Sequence, residues 1–488
     1  MSFQSALFLG VFLPAVLALY WLGPRRAGWQ NGTLLVASWA FVWTWGPRLF
    51  PFLLLATLVN YGAGLALGAL RTEDGPEGAK PNGGGSRWLL AAAVAYDLGQ
   101  LALFKYLGFF ASTVSTVGGV LALPLSIAAP SWALPLGISF WTLQQVGYLL
   151  DVHHGRVPAC RSLLSFATFS SFFPQMQAGP VARTDLIPQF VEARRPSLDD
   201  LRTGAFRFFR GYVGRFLIAA VLGEKLVDPV FSRAGELSAT AHWLAVLGYA
   251  GQVFCDFAGY TEMAIGVALL FGIRLHENFE YPFLAGNLME FWKRWHMTLT
   301  NWLFDYIYSP LMTGSSWLRG RLDLGLFITF LASGLWHGAA WTFVLWGGLQ
   351  GAGLVVQRHF DEAYRGLCRK DRTWVARRKT RGYQIAAWAV TQAFFVVSLV
   401  PFRAASFREA AAFTSGLLGR GAVAMPRMGN TDLLNLLFCV SLLAGYYALR
   451  GRRLAVPAVA RGVIYGLLVV YMAIFMPLAK GTFIYAQF

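Results

Sequence analysis

Apolar positions in this chain run on rather than alternate, and the runs have the length of bilayer-crossing helices. Ten stand out: Phe3–Leu22, Leu34–Trp45, Phe50–Leu70, Trp88–Phe109, Phe206–Leu222, Trp243–Phe271, Leu324–Leu349, Ile385–Pro401, Leu433–Leu449 and Val463–Leu478. A bilayer core asks for about 20 mainly apolar helical residues. Shorter apolar stretches lie at Ala111–Ile127, Leu134–Leu150, Leu163–Met176 and Trp302–Met312, broken by Pro135, Gly137, Pro174, Gly179 and Pro180. Irregular backbone at membrane depth survives only where protein buries it or where it lines a wet cavity. The interrupted middle third is therefore where function is expected. The predicted fold class is an all-α polytopic integral membrane protein with about 10–12 transmembrane helices plus re-entrant or partial helices. One membrane-embedded domain is expected over 1–488. Within it, 1–130 carries N-terminal spans, 131–350 the motif-bearing core, and 351–488 a basic cytoplasmic loop and C-terminal spans.

Composition removes the soluble alternative. Of 488 residues, 56 % are apolar and only 13 % charged, about half the charge that clothes a soluble surface. Four scattered cysteines show no paired or ligand-like spacing. The net charge of +17 sits in short clusters between apolar runs, the pattern that orients a membrane protein and meets anionic headgroups. Nucleic acid is not expected as a partner, because no basic stripe on a folded domain is present. Arg25-Arg26 follow the first run, so that run is read as a span with its N-terminus outside rather than as a cleavable signal. Arg358–Arg381, with nine basic residues, and Arg450, Arg452, Arg453 and Arg461 should be cytoplasmic. The last span would then leave the C-terminus outside.

Ionisable groups among apolar residues are functional hypotheses by default. The densest set is Glu290-Phe291-Trp292-Lys293-Arg294-Trp295-His296, followed by Asp305 and Tyr306. Two readings stay open: an interfacial belt of Trp anchors and snorkelling cations, or a charged site, which His296 fits better than it fits a belt. Ser333-Gly334-Leu335-Trp336-His337-Gly338 lies inside the Leu324–Leu349 run, where helical spacing puts Phe330, Gly334, His337 and Trp341 on one face. His337 is compatible with a neutral core histidine bonded to another helix and with a general base, since a base needs a neutral imidazole. Gly334 and Gly338 leave room for a substrate or for close helix packing. Asp256 and Tyr260 share a helix face at i, i+4, while Glu262 points elsewhere. These suit a structural pair better than catalytic carboxylates. His153-His154 beside Asp151 lack a further ligand, and no metal is expected. No phosphate-binding P-loop, GxSxG elbow or HExxH is present.

Together these segments resemble the membrane-bound O-acyltransferase superfamily. The closest likeness is to its bacterial branch of alginate O-acetyltransferase membrane subunits and teichoic acid D-alanyl transferases. Seven blocks carry the resemblance in order: Leu134–Phe140 with Gln144-Gln145 to Asp151; Phe173-Pro174-Gln175 with Ala178-Gly179-Pro180; Asp256–Gly266; Glu277-Asn278-Phe279 with Tyr281-Pro282; Phe291–Tyr308; Leu335-Trp336-His337-Gly338 before Trp341; and Phe483–Phe488. The resemblance implies that His337 is catalytic, that His296 is the second family histidine, and that Trp336, Gly338, Asp256, Tyr260 and Asp305 support them. It implies acetyl-CoA as donor, whose phosphates Lys293 and Arg294 could hold, and no permanently bound cofactor. It further implies transfer, through a periplasmic acetyltransferase partner, to an extracytoplasmic polysaccharide such as alginate, from the bacterial inner membrane. A transporter of polysaccharide or lipid-linked sugar is the alternative; it should show pseudo-repeats, and none is visible.

Overall fold

The computed structural model of the chain describes residues 1–70, 83–123, 127–128, 134–314, 317–420, 424–426, 428–450 and 457–476. Most of the Gly75–Gly85 loop, Arg452, Arg453 and the Phe483–Phe488 block lie outside the described residues. Among the described residues all regular structure is helical, apart from a single bridge between Phe279 and Trp295. The chain divides into two compact units, residues 1–208, 263–277 and 301–307 in one and 209–262, 278–300 and 308–488 in the other.

The first unit holds α1 (Phe8–Leu22), α2 (Ala27–Trp43), α3 (Phe50–Ala69), α4 (Gly84–Val120), α5 (Ile138–His154) and α6 (Leu163–Ser171). The sequence predicts separate stretches at Trp88–Phe109 and Ala111–Ile127; the structure instead makes one helix, α4. No proline interrupts it, and a π-helical stretch at Ala102–Tyr106 absorbs the offset within an unbroken backbone ladder. Gly137 opens α5 at φ 71°, and a Cβ there would meet the Met176 carbonyl oxygen at 1.7 Å. Only glycine fits, so the predicted interruption is real. Buried polar side chains tie these helices together. Arg194 donates to the Tyr20 hydroxyl (2.7 Å) and to Asn31 Oδ1 (2.7 Å), and its backbone N–H donates to Gln30 Oε1 (2.8 Å). Asn60 Nδ2 donates to Asp97 Oδ1 (2.8 Å) and Gln145 Oε1 (3.0 Å), joining α3, α4 and α5. Each neutral bond contributes about 0.5–1.5 kcal/mol net, and each from the Arg194 guanidinium about 1.5–3 kcal/mol.

Helix α7 (residues 198–231) supplies 209–231 to the second unit, and α8 (Ala239–Leu270) supplies 239–262. The second unit continues with α9 (Leu288–Trp292), α10 (Leu322–His337), α11 (Trp341–Lys370), α12 (Arg381–Arg403), α13 (Asn430–Ala448) and α14 (Ala458–Phe475). The predicted single span Leu324–Leu349 is corrected here. It breaks at Gly338, and α10 and α11 form a hairpin. A glycine seam holds the hairpin: a Cβ on Gly347 would meet the Phe330 carbonyl at 2.4 Å, and one on Gly351 would meet Phe327 Cα at 2.9 Å. Trp341 therefore begins the next helix and does not share a face with His337. The predicted basic loop Arg358–Arg381 is largely helical too. Helix α11 runs on to Lys370, and Asp371 then accepts from the Thr373 N–H (2.8 Å) to open a short helix. Arg358 closes the hairpin's open end by pairing with Asp323 at 2.6 Å.

Among the described residues five helices are long and apolar enough to cross a bilayer: α3, α4, α8, α12 and α13; α1, α10 and most of α14 are shorter apolar helices. On α13, Leu433, Leu434, Leu437 and Val440 stay exposed, as expected of a helix face whose solvent is acyl chain.

Candidate active site

The site is built where two non-helical segments cross. The Glu280 N–H donates to the Arg294 carbonyl (2.9 Å), the Met297 N–H to the Asn278 carbonyl (3.0 Å), and Phe279 bridges Trp295. At the crossing His296 is held at φ 45°, a left-handed conformation that costs a non-glycine residue about 1–3 kcal/mol and persists only where its surroundings over-determine it. Asn278, completely buried, does so. Its Oδ1 accepts from the Thr298 N–H (3.2 Å) and the Thr298 hydroxyl (2.8 Å), and lies 3.1 Å from His296 Nδ1. A backbone N–H can only donate, so the Asn278 atom is oxygen and His296 Nδ1 carries the proton. The lone pair of the neutral ring is then on Nε2. His296 lies in the connection after α9, outside the apolar helices. Burial, with the His337 ring as second cause, holds it well below the ordinary histidine range.

His337 is the last residue of α10 and 4 % exposed. Its ring centroid lies 6.3 Å from that of His296, 5.0 Å from Trp336, 5.1 Å from Trp346 and 5.5 Å from Phe402. Trp336 also faces His296 at 5.9 Å. The two histidines predicted from separate segments are thus neighbours in one aromatic cage. Gly338 is extended (φ −162°), so its backbone needs no glycine; a Cβ there would meet the Phe343 ring at 2.2 Å. The room left by Gly334 and Gly338 goes to close packing.

The other predicted residues are placed differently. Asp256 and Tyr260 both face Arg215: Asp256 Oδ1 is 3.7 Å from its guanidinium, which lies 5.5 Å from the Tyr260 ring. Glu262 points elsewhere, to Arg210 at 2.5 Å. Helix α8 reaches the histidines through Phe257, 4.6 Å from the His296 ring. Lys293 is exposed, and Arg294 pairs with Glu290 at 2.6 Å. Asp305 belongs to the first unit, where it pairs with Arg183 at 2.6 Å. Sequence reasoning passed over Asn278, Phe257 and Trp346. Asn278 left one legible signal, a lone amide between Glu277 and the aromatic Phe279 in a block already marked for its resemblance.

The profile of the membrane-bound O-acyltransferase family matches residues 160–400, which includes both histidines. A protein of Pseudomonas putida named "Probable alginate O-acetylase AlgI" is 34 % identical to the chain over 439 residues, covering 89 % of this chain and 84 % of that one. The chain belongs to the membrane-bound O-acyltransferase family. It is accordingly an O-acyltransferase and a multi-pass membrane protein. A peptidoglycan O-acetyltransferase of Helicobacter pylori is 31 % identical, over 87 % of this chain and 81 % of its own. A teichoic acid D-alanyltransferase of Bacillus subtilis is 31 % identical over a shorter stretch, 43 % of this chain and 56 % of its own.

Acyl transfer to a hydroxyl requires a base for the hydroxyl proton, charge stabilisation at the carbonyl oxygen, and exclusion of water. Two buried imidazoles among Trp336, Trp346, Phe257 and Phe402 have the chemistry to supply the first, in surroundings suited to the last.

Proposed function

We propose that this acyltransferase takes an acetyl group from a cytoplasmic thioester, acetyl-CoA, and delivers it to hydroxyls of an extracytoplasmic polysaccharide such as alginate. It works in the bacterial inner membrane and hands the group on through a periplasmic acetyltransferase. The observation that carries this reading is the histidine pair, two imidazoles 6.3 Å apart in a buried aromatic cage. In this scheme His337 takes the hydroxyl proton, and His296, its proton fixed on Nδ1 by Asn278, positions donor or acceptor. Lys293, exposed three residues before His296, and Arg294 meet the donor phosphates. The names of the relatives, two of them O-acetyl-transferring, favour acetyl over other acyl groups.

The test is ester-linked acetate on exported polymer in a deletion strain complemented with wild type, His337→Ala or His296→Ala. Wild type restores acetylation. His337→Ala is expected to lose at least about 10²-fold, the usual contribution of a general base, and His296→Ala to lose less. Polymer that is exported normally but never acetylated, even with wild type, would refute the reading. So would full acetylation by His337→Ala.

A further inference from the structure

At the cage around His337 stand two buried hydrogen-bond donors that no described residue satisfies. Nε1 of Trp292 and Nε1 of Trp346 are sealed from solvent and have no acceptor among the described residues. The residues are 5 % and 2 % exposed. Their rings lie 5.9 Å apart, and Trp346 meets the His337 ring edge-on at 5.1 Å. The neighbouring surfaces are Phe330, 5.0 Å from Trp292, and Phe402, 4.9 Å from Trp346. Phenyl rings offer no acceptor oxygen.

A buried donor without an acceptor costs folding free energy, and in a native structure it calls for an explanation. Phenylalanine would fill most of the same volume without that cost. Two such donors on different helices, Trp346 on α11 against the His337 ring and Trp292 on α9 against Trp346, are what charge stabilisation in acyl transfer needs. The donors must await an oxygen that becomes negative only during reaction.

We propose that the indole N–H groups of Trp292 and Trp346 are the oxyanion-stabilising donors of this acyltransferase, contacting the thioester carbonyl oxygen of the donor. The proposal rests on the acyl-transfer reading given above. The acceptor hydroxyl oxygen attacks the thioester carbonyl carbon, forming the C–O bond, while its proton passes to the histidine. The carbonyl π electrons move onto the oxygen held by the two N–H groups. Their return breaks the C–S bond, and the departing thiolate takes the proton from the imidazolium, giving ester and thiol. The site excludes water because the indoles bring donor capacity on an apolar body.

The test uses the full-length protein in nanodiscs, with acetyl-CoA, the periplasmic acetyltransferase partner and a short oligosaccharide acceptor, for wild type, Trp292→Phe and Trp346→Phe. Each substitution keeps an aromatic ring and deletes one donor. The expected result is a fall in kcat of about 10²-fold for each at near-constant KM, the signature of a contact that strengthens only in the transition state. The thermal midpoint of the ligand-free protein should not fall in parallel. A second readout is the infrared carbonyl band of carbonyl-13C acetyl-CoA bound to His337→Ala. Adding Trp346→Phe to that variant is expected to move the band to higher frequency as a hydrogen bond is lost. A kcat within threefold of wild type in both variants, or an unmoved carbonyl band, overturns the proposal. A loss in only one variant overturns the two-donor arrangement. A wild type that neither binds nor uses acetyl-CoA while acetylating polymer in cells refutes the donor reading instead, and the same variants then decide the indoles' role from cellular acetylation.

Discussion

Replacing Asn278 by alanine isolates the clamp on His296. The Asn278 main-chain carbonyl still accepts from Met297, so the crossing of the two segments survives. What is lost is the single oxygen that serves three donors. The Thr298 hydroxyl can rotate away, but the Thr298 N–H and His296 Nδ1–H cannot. Stranding a buried donor costs about 1–3 kcal/mol, so the two together cost about 2–6 kcal/mol. Against a total stability of about 5–15 kcal/mol the protein still folds, with a clearly lower unfolding midpoint. The freed imidazole loses its fixed tautomer and its left-handed anchor. Misplacing the imidazole by as little as about 1 Å should lower activity by up to about 10²-fold. Asn278→Asp sharpens the test. Its carboxylate can accept from the same donors but adds a charge about 3 Å from the ring, worth about 1–6 kcal/mol in favour of imidazolium. Wild-type His296 is held neutral by burial, so falling pH leaves it uncharged through the ordinary histidine range. In Asn278→Asp the proton is bound more tightly, and activity should be lost at higher pH than in wild type as pH falls. Thermal unfolding in nanodiscs and acetyl transfer across a pH series measure both effects. An Asn278→Ala protein with wild-type midpoint and rate, or coincident acid limbs for Asn278→Asp and wild type, would refute the reasoning.

Gly347→Val would drive a side chain into the Phe330 carbonyl at 2.4 Å. It should splay the α10–α11 hairpin, lower stability by about 1–3 kcal/mol and depress activity, whereas Gly348→Ala, whose Cβ makes ordinary contacts with Leu331 at 3.6 Å and Phe327 at 3.9 Å, should match wild type in unfolding and rate. Cys368, half-exposed on the basic extension of α11, should be cytoplasmic, because placing nine basic residues outside opposes the membrane potential by about 2.3 kcal/mol per charge per 100 mV. With Cys160, Cys255 and Cys439 replaced, an impermeant maleimide should label Cys368 only after lysis, and labelling of intact spheroplasts would invert the topology.

The all-helical character and the apolar runs were legible in the residues because a bilayer imposes length and hydropathy on each segment separately. His296 and His337, which the fold brings within 6.3 Å of each other, stood out in the residues for a related reason: an imidazole among aromatics and aliphatics is conspicuous within its own few neighbours. The hairpin at Gly338 was not, because Leu324–Leu349 is apolar throughout and hydropathy cannot see a turn. The turn rests on the fit of Gly347 against the Phe330 carbonyl, a contact between two helices. Asp256 and Tyr260 share a face as their spacing predicts, yet tertiary packing turns that face to Arg215 and leaves Phe257 for His296. Periodicity tells which residues point together, and only the packed partner tells at what. The proton on His296 Nδ1 likewise depends on an oxygen eighteen residues away in sequence, brought near by a chain crossing that no local pattern encodes.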